Sequence, residues 1–166
     1  MDSSTLYAVA YKTTGDTAGL LDLFSDLVRC ETRLYNVLND RLRERHGIVT
    51  SQFEFLRYLR GHEGARVADL AAEFAIGIGA TSKGVDRLEK QGWAVRTPNP
   101  ADRRSSLLAL TEDGAELVRA AEETFGATLA ELVGGALDAA SVTAATRALA
   151  TLRAALEDRQ VGTPTG

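Results

Sequence analysis

A single cysteine, Cys30, excludes an intrachain disulfide framework. Two histidines, His46 and His62, do not complete a metal set with that thiol at any usual ligand spacing, so neither a metal nor a cofactor is expected. No stretch approaches the roughly eighteen consecutive apolar residues of a membrane span, and the first residues lack the charged start and continuous apolar core of a secretion signal. The expectation is a cytoplasmic chain. Motifs of catalysis are missing too: there is no nucleophile elbow, phosphate loop or zinc-protease helix. Gly77-x-Gly79 followed by Ser82 lacks the third glycine and the preceding strand of a dinucleotide loop. An enzyme is not expected.

Net positive charge is the last absence, since the 166 residues carry a formal charge of −4, where a nucleic-acid partner usually calls for a basic footprint. The distribution reverses that first impression. From Gly79 to Arg104 six basic residues face three acids, a local +3, whereas Ser105 to Gly166 holds nine acids against four arginines, a local −5. A basic patch on an acidic molecule holds DNA in one orientation and disfavours others.

That patch lies in a stretch with definite shape, Gly79 to Gly114. Thr81 to Gln91 has helical spacing, with Val85 and Leu88 three apart among polar residues, and Gly92 stops it. Trp93–Thr97 and Ser106–Leu110 are β-prone runs around a charged turn, Pro98–Arg104. A helix followed by a two-stranded ribbon with an Asp-Arg-Arg tip has the shape of a winged helix, in which the helix suits the major groove and the ribbon reaches the minor groove.

The rest of the chain frames this stretch. Residues 1–19 are an extension, either a disordered tail or an arm crossing onto a partner. A long amphipathic helix spans Leu20 to Arg45, with Leu20, Leu23, Phe24 and Leu27 opening its apolar stripe, and Gly47 ends it. Thr50 or Ser51 caps a second helix that ends near Gly61–Gly64, and Val67–Ala75 is a short third, with Leu70, Ala71 and Phe74 inward. Gly79 stands at the cap position of the helix that follows. The pair 68–75 and 80–91 reads as helix-turn-helix, the second member being the recognition element. Thr111 caps a helix whose first turn carries Glu112 and Asp113. Gly134-Gly135 breaks that helix, and a last one runs from about Asp138 to Arg159 with Val142, Ala145, Leu149, Leu152 and Leu156 at seam spacing. Apolar stripes at both ends exceed what a head of three short helices can cover, so a homodimer is the economical solution.

One string carries a resemblance: Asp86-Arg87-Leu88-Glu89-x-x-Gly92, Arg96, Asn99-Pro100-x-Asp102-Arg103-Arg104 and Leu110-Thr111-x-x-Gly114. In order and spacing it resembles the MarR (multiple antibiotic resistance regulator) family, and the likeness extends more weakly from about Leu20 to Arg159. The resemblance implies a mainly α fold with a small β-ribbon, a winged helix-turn-helix head at about 50–111, and dimerisation helices at about 20–46 and 111–159. The tail 160–166 lies outside the single domain, 20–159. It also implies a homodimeric repressor that binds a pseudo-palindromic duplex and is released by a small aromatic or anionic effector.

Candidate residues follow. For DNA contact these are Thr81, Ser82, Lys83 and Arg87 on the recognition helix, and Asp102, Arg103 and Arg104 on the wing. By similarity to the family Arg104 is the wing arginine of the minor groove and Asp102 its brace. The plainer reading is a solvated helix face and a surface salt bridge from Asp102 to Arg96 or Arg103, worth ~0–1 kcal/mol. Tyr35, Arg57, Tyr58 and His62 are residue types suited to an effector crevice, against ordinary helix packing with polar tips in water. Gly84 costs a helix about 1 kcal/mol relative to alanine, and fits close approach of the helix to DNA or to another helix. Cys30, flanked by Arg29 and Arg33, is either a buried inert thiol or a redox sensor, although peroxide-sensing relatives place the reactive cysteine nearer position Ser25. A winged-helix protein-interaction module without DNA binding is the alternative from another functional class.

Overall fold

The computed structural model describes residues 17–164. Eight elements follow one another: α1 (Thr17–His46), α2 (Thr50–Gly61), α3 (Val67–Glu73), α4 (Ile78–Lys90), β1 (Ala94–Pro98), β2 (Ser106–Leu110), α5 (Glu112–Leu132) and α6 (Ala139–Asp158). The chain divides into two compact units, Met1–Val37 and Leu38–Gly166, and each is described by itself. Thr17, Ala18 and Gly19 already belong to α1. The choice between tail and arm for the earlier residues lies outside the described part, as does the end of the tail.

In the second unit the core is aliphatic and aromatic. Leu42, Ile48, Phe53, Leu56, Leu70, Val85, Leu88 and Val118 are fully buried, and the Phe53 ring stacks on Phe125 at 4.6 Å between centroids. The side chains come from α1's last turns, α2, α3, α4 and α5, so the three short helices are closed from both ends of the chain. The ribbon pairs antiparallel from Ala94↔Leu110 to Pro98↔Ser106. Ala65 adds an isolated bridge to β2 that no β-prone run announces, its carbonyl accepting from the Leu108 N–H at 2.7 Å.

The helix ends are set by short-range chemistry, with two corrections to the expected caps. Val49, not Thr50 or Ser51, is the N-cap of α2: Gln52 Oε1 accepts from the Val49 N–H at 3.0 Å, and Asn39 Oδ1 from the Thr50 N–H at 3.2 Å. Gly77, not Gly79, caps α4 with extended backbone. Gly92 ends α4 as expected, at φ +77°, where its N–H bonds the Glu89 carbonyl while the Trp93 N–H bonds Leu88. This paired closure needs a left-handed residue and so favours glycine. Thr111 Oγ accepts from the Gly114 N–H at 3.0 Å, the expected cap of α5.

Gly84 has a packing reason. A Cβ built on it would stand 2.7 Å from Cε2 of Phe55, a buried ring that also packs on Phe74. The close approach is therefore between α4 and α2. Gly84→Ala gains about 1 kcal/mol of helix propensity but forces the ring aside, at about 1–3 kcal/mol. We expect a net loss near 1 kcal/mol by urea denaturation, recovered in the Gly84→Ala/Phe55→Leu double variant; equal loss in both variants would count against this packing account.

In contrast, the outer helices keep their stripes uncovered. Leu20, Leu21, Leu23, Phe24, Leu27 and Val28 are exposed in the first unit, and Leu149, Leu152 and Leu156 are exposed on α6. Cys30 is exposed as well, so the buried-thiol reading does not hold for the single chain.

Candidate nucleic-acid interface

Recognition helix α4 divides its residues between core and surface by their spacing. Thr81, Val85 and Leu88, at i, i+4 and i+7, are buried. Thr81 therefore does not join the other candidates: its side chain is inaccessible, and its hydroxyl donates to the Gly77 carbonyl at 3.1 Å, which satisfies it one turn back. The same spacing that marks Val85 and Leu88 also marks Thr81, and only its hydroxyl suggested a surface role. Ser82 is half-buried, while Lys83 and Arg87 are exposed and make no ion pair among the described residues. Ile78, Gly79 and Ala80, the first turn, are exposed too, Ile78 by 62 %. The candidate set did not include them.

The ribbon is clipped to this helix by Arg96. Its guanidinium pairs with Asp86 at 2.8 Å and with Glu89, whose other oxygen accepts the Arg96 N–H at 3.0 Å. The expected partner Asp102 is not involved; the acids one turn apart on α4 lie under β1 and take the charge instead. Arg96 is thereby neutralised and half-buried.

Asp102 braces the tip through the backbone. Its Oδ1 accepts from the Arg104 N–H at 3.0 Å, and its carbonyl accepts from the Ser105 N–H at 3.1 Å. On the other side, Asn99 Oδ1 accepts from the Ala101 N–H at 3.0 Å, and its amide donates to Ser105 Oγ at 2.9 Å. Two short polar side chains that mimic turn hydrogen bonds thus fix seven residues. Arg103 and Arg104 project from this fixed tip, both exposed and without an ion pair among the described residues. Arg66, beside Ala65, is committed elsewhere: its guanidinium grips Asp69 at 2.9 and 3.1 Å, and that hydrogen bonding holds the Asp69 carboxyl below the usual range.

Of the effector candidates, Arg57, Tyr58 and His62 meet in one recess of about 260 Å³ with Glu54, Glu73 and Phe74. The Tyr58 and His62 rings stack at 4.0 Å. Arg57 is already engaged, by Glu54 at 3.7 Å and Glu122 at 3.6 Å. Burial pushes the Glu54 carboxyl up, against the pull of Arg57, and burial together with Asp69 and Glu73 raises the Tyr58 hydroxyl. Tyr35 is exposed on the first unit's part of α1.

Exposed cations on α4 thus stand in the same unit as an arginine-tipped ribbon. A family model described as the MarR family matches residues 46–105. The multiple antibiotic resistance protein MarR of Salmonella typhimurium is 32 % identical over 102 residues, covering 58 % of this chain and 71 % of that one. The chain belongs to the MarR family. Among solved structures, a cysteine-to-serine mutant of MarR from E. coli complexed with operator DNA superposes with a TM-score of 0.71 at 26 % identity, over 83 % of this chain and 99 % of that one. A MarR family transcriptional regulator from Streptomyces coelicolor, in complex with DNA, gives 0.80 at 23 % identity over 89 % and 94 %, a likeness of fold. The winged helix-turn-helix and the mainly helical frame expected from sequence are both present.

Proposed function

We propose that this MarR-family protein is a sequence-specific duplex-DNA-binding transcriptional regulator, acting in the cytoplasm as a homodimeric repressor. One observation carries the reading: Lys83 and Arg87 on α4 and Arg103 and Arg104 on the ribbon are exposed cations with no ion pair among the described residues. They lie in the stretch Gly79 to Arg104, where six basic residues face three acids, whereas a surface shaped for solubility alone intersperses both signs evenly. Likeness to a MarR solved with operator DNA supports the same partner. In this reading the head spans about 50–111, and the helices at about 20–46 and 111–159 make the dimer, whose two heads meet half-sites about one helical turn, ~34 Å, apart.

The uncovered stripes on α1 and α6 support dimerisation, because exposed patches of this kind mark interaction surfaces. Replacing Leu152 and Leu156 together with glutamate is expected to give a monomer by sedimentation and to abolish the specific mobility shift. A monomeric wild type would refute the arrangement.

Recess chemistry bears on the effector. Two carboxylates and an already paired Arg57 oppose an anion, whereas the Tyr58, His62 and Phe74 rings suit a neutral aromatic compound. Release of bound duplex by neutral aromatics but not by aromatic acids is the expected outcome. Exposed Cys30 supports a second reading, release by thiol oxidation, which a mobility shift before and after peroxide treatment tests. The interaction-module alternative loses its support from Gly84, which faces Phe55. A mobility-shift experiment with fragmented genomic DNA tests the whole reading; no retained fragment at low salt would end it.

A further inference from the structure

We propose that the first turn of α4 reads thymine, Ile78 supplying an apolar contact to the C5 methyl group and Gly79 the clearance that lets the helix come close enough; this rests on the duplex-binding reading above. The other large aliphatics of α4, Val85 and Leu88, are fully buried, whereas Ile78, the first helical residue, is 62 % exposed. Most of its surface is therefore left uncovered, and a β-branched aliphatic does not favour a helix.

The glycines beside it point the same way. Gly84 and Gly114 are glycine because a Cβ would overlap a neighbour, but a Cβ on Gly77 or Gly79 would meet nothing within 4 Å. Gly77 has φ −59°, and Gly79 does not have positive φ either. Gly77 suits its N-cap position, but for Gly79, inside the helix, neither backbone conformation nor internal packing calls for glycine, although glycine weakens a helix. What Gly79 provides is a thin outer surface, continued by exposed Ala80, with Lys83 and Arg87 following on the same helix. Glycine permits close approach of backbone to a ligand.

A recognition helix enters the major groove with its N-terminal residues at the base edges. There an aliphatic side chain finds one apolar feature, the thymine methyl; against the other base edges it would leave donors or acceptors without a partner. Ile78 thus adds selectivity for thymine to the phosphate attraction of the cationic residues, which carries no sequence information.

The test uses the full chain. Duplexes are selected from a randomised pool, each thymine of a selected half-site is replaced in turn by deoxyuridine, which lacks the methyl, and affinity is measured by fluorescence anisotropy. For wild type, one position per half-site should lose roughly fourfold on removal of the methyl. Ile78→Ala should bind thymine and uracil duplexes alike, and Gly79→Ala should melt no lower than wild type yet bind the selected duplex more weakly. The proposal falls if no replacement changes wild-type binding by more than about twofold, or if Ile78→Ala stays as sensitive as wild type. It also falls if Ile78→Ala alters the association state while its methyl sensitivity is unchanged, since Ile78 would then belong to a chain contact. Failure to select any duplex removes the DNA-binding reading itself, whereas selection without methyl sensitivity removes this inference alone.

Discussion

Gly114→Ala is expected to lower stability by at least about 3 kcal/mol, the cost of forcing a group into a site with no room. A Cβ there would overlap the Trp93 carbonyl oxygen and stand 2.8 Å from its carbon. The obstacle is backbone, which cannot rotate away as a side chain can. That carbonyl is already held, accepting the Thr111 N–H at 3.1 Å, while the Thr111 hydroxyl donates to the Gly92 carbonyl at 2.7 Å. The end of α4, the start of β1 and the first turn of α5 are thus joined within a few residues. Displacing one displaces all, so the variant should also misplace the ribbon relative to the recognition helix. For a chain of this length a loss of this size lowers the melting temperature by roughly 6–12 °C. A midpoint within a degree of wild type would show that the junction yields and that the close packing carries no energy. Thr111→Ala, which removes the cap and the Gly92 bond but adds no bulk, should cost about 1 kcal/mol.

This junction also explains what could be read from the chain alone. Gly92 as helix stop and Thr111 as helix cap act through bonds to residues within five positions or through a required left-handed backbone, so composition and spacing reveal those two roles, though not the bonds from Thr111 to Gly92 and Trp93. Gly114 appears in the family string, but its reason, the carbonyl of Trp93 in the turn before β1, lies twenty-one residues earlier and is visible only in three dimensions. The same holds for Gly84 against Phe55, and for Arg96, whose partners are acids on the preceding helix. The caps of α2 and α4 differ from expectation because Val49 and Gly77 have no capping side chain; at α2 the work falls to Gln52 and Asn39. Thr81 departs from expectation for another reason. Its position on the buried stripe is plain from periodicity, but a hydroxyl looks like a surface group until its bond to the Gly77 carbonyl is seen. Periodicity and turn chemistry therefore mark the helix, the ribbon and the cations, while the division between polar groups left exposed and polar groups tied into the frame depends on contacts that spacing alone does not reveal.

That division decides the second large effect. Arg104→Ala is expected to weaken specific duplex binding about ten- to hundredfold, the range lost with one good nucleic-acid contact. It should also lessen the slope of log affinity against log salt by about one. The residue is suited to this role by what it lacks and by what fixes it. Its guanidinium has no ion pair among the described residues, and its backbone N–H is held by Asp102 at 3.0 Å on a tip that Asn99 also ties. A cation held in place loses less conformational entropy on binding than one on a mobile loop. Asp102→Ala keeps both arginines but frees the tip and removes one acid, so affinity should fall, despite the more positive tip, with little change in salt slope. Arg96→Ala is the contrasting case. It removes a cation already neutralised by Asp86 and Glu89, and should loosen the ribbon while leaving the counterion slope as in wild type. If Arg104→Ala and Arg96→Ala produced the same slope, charge at the tip would not be meeting phosphate, and the wing would have to be assigned a role other than DNA contact.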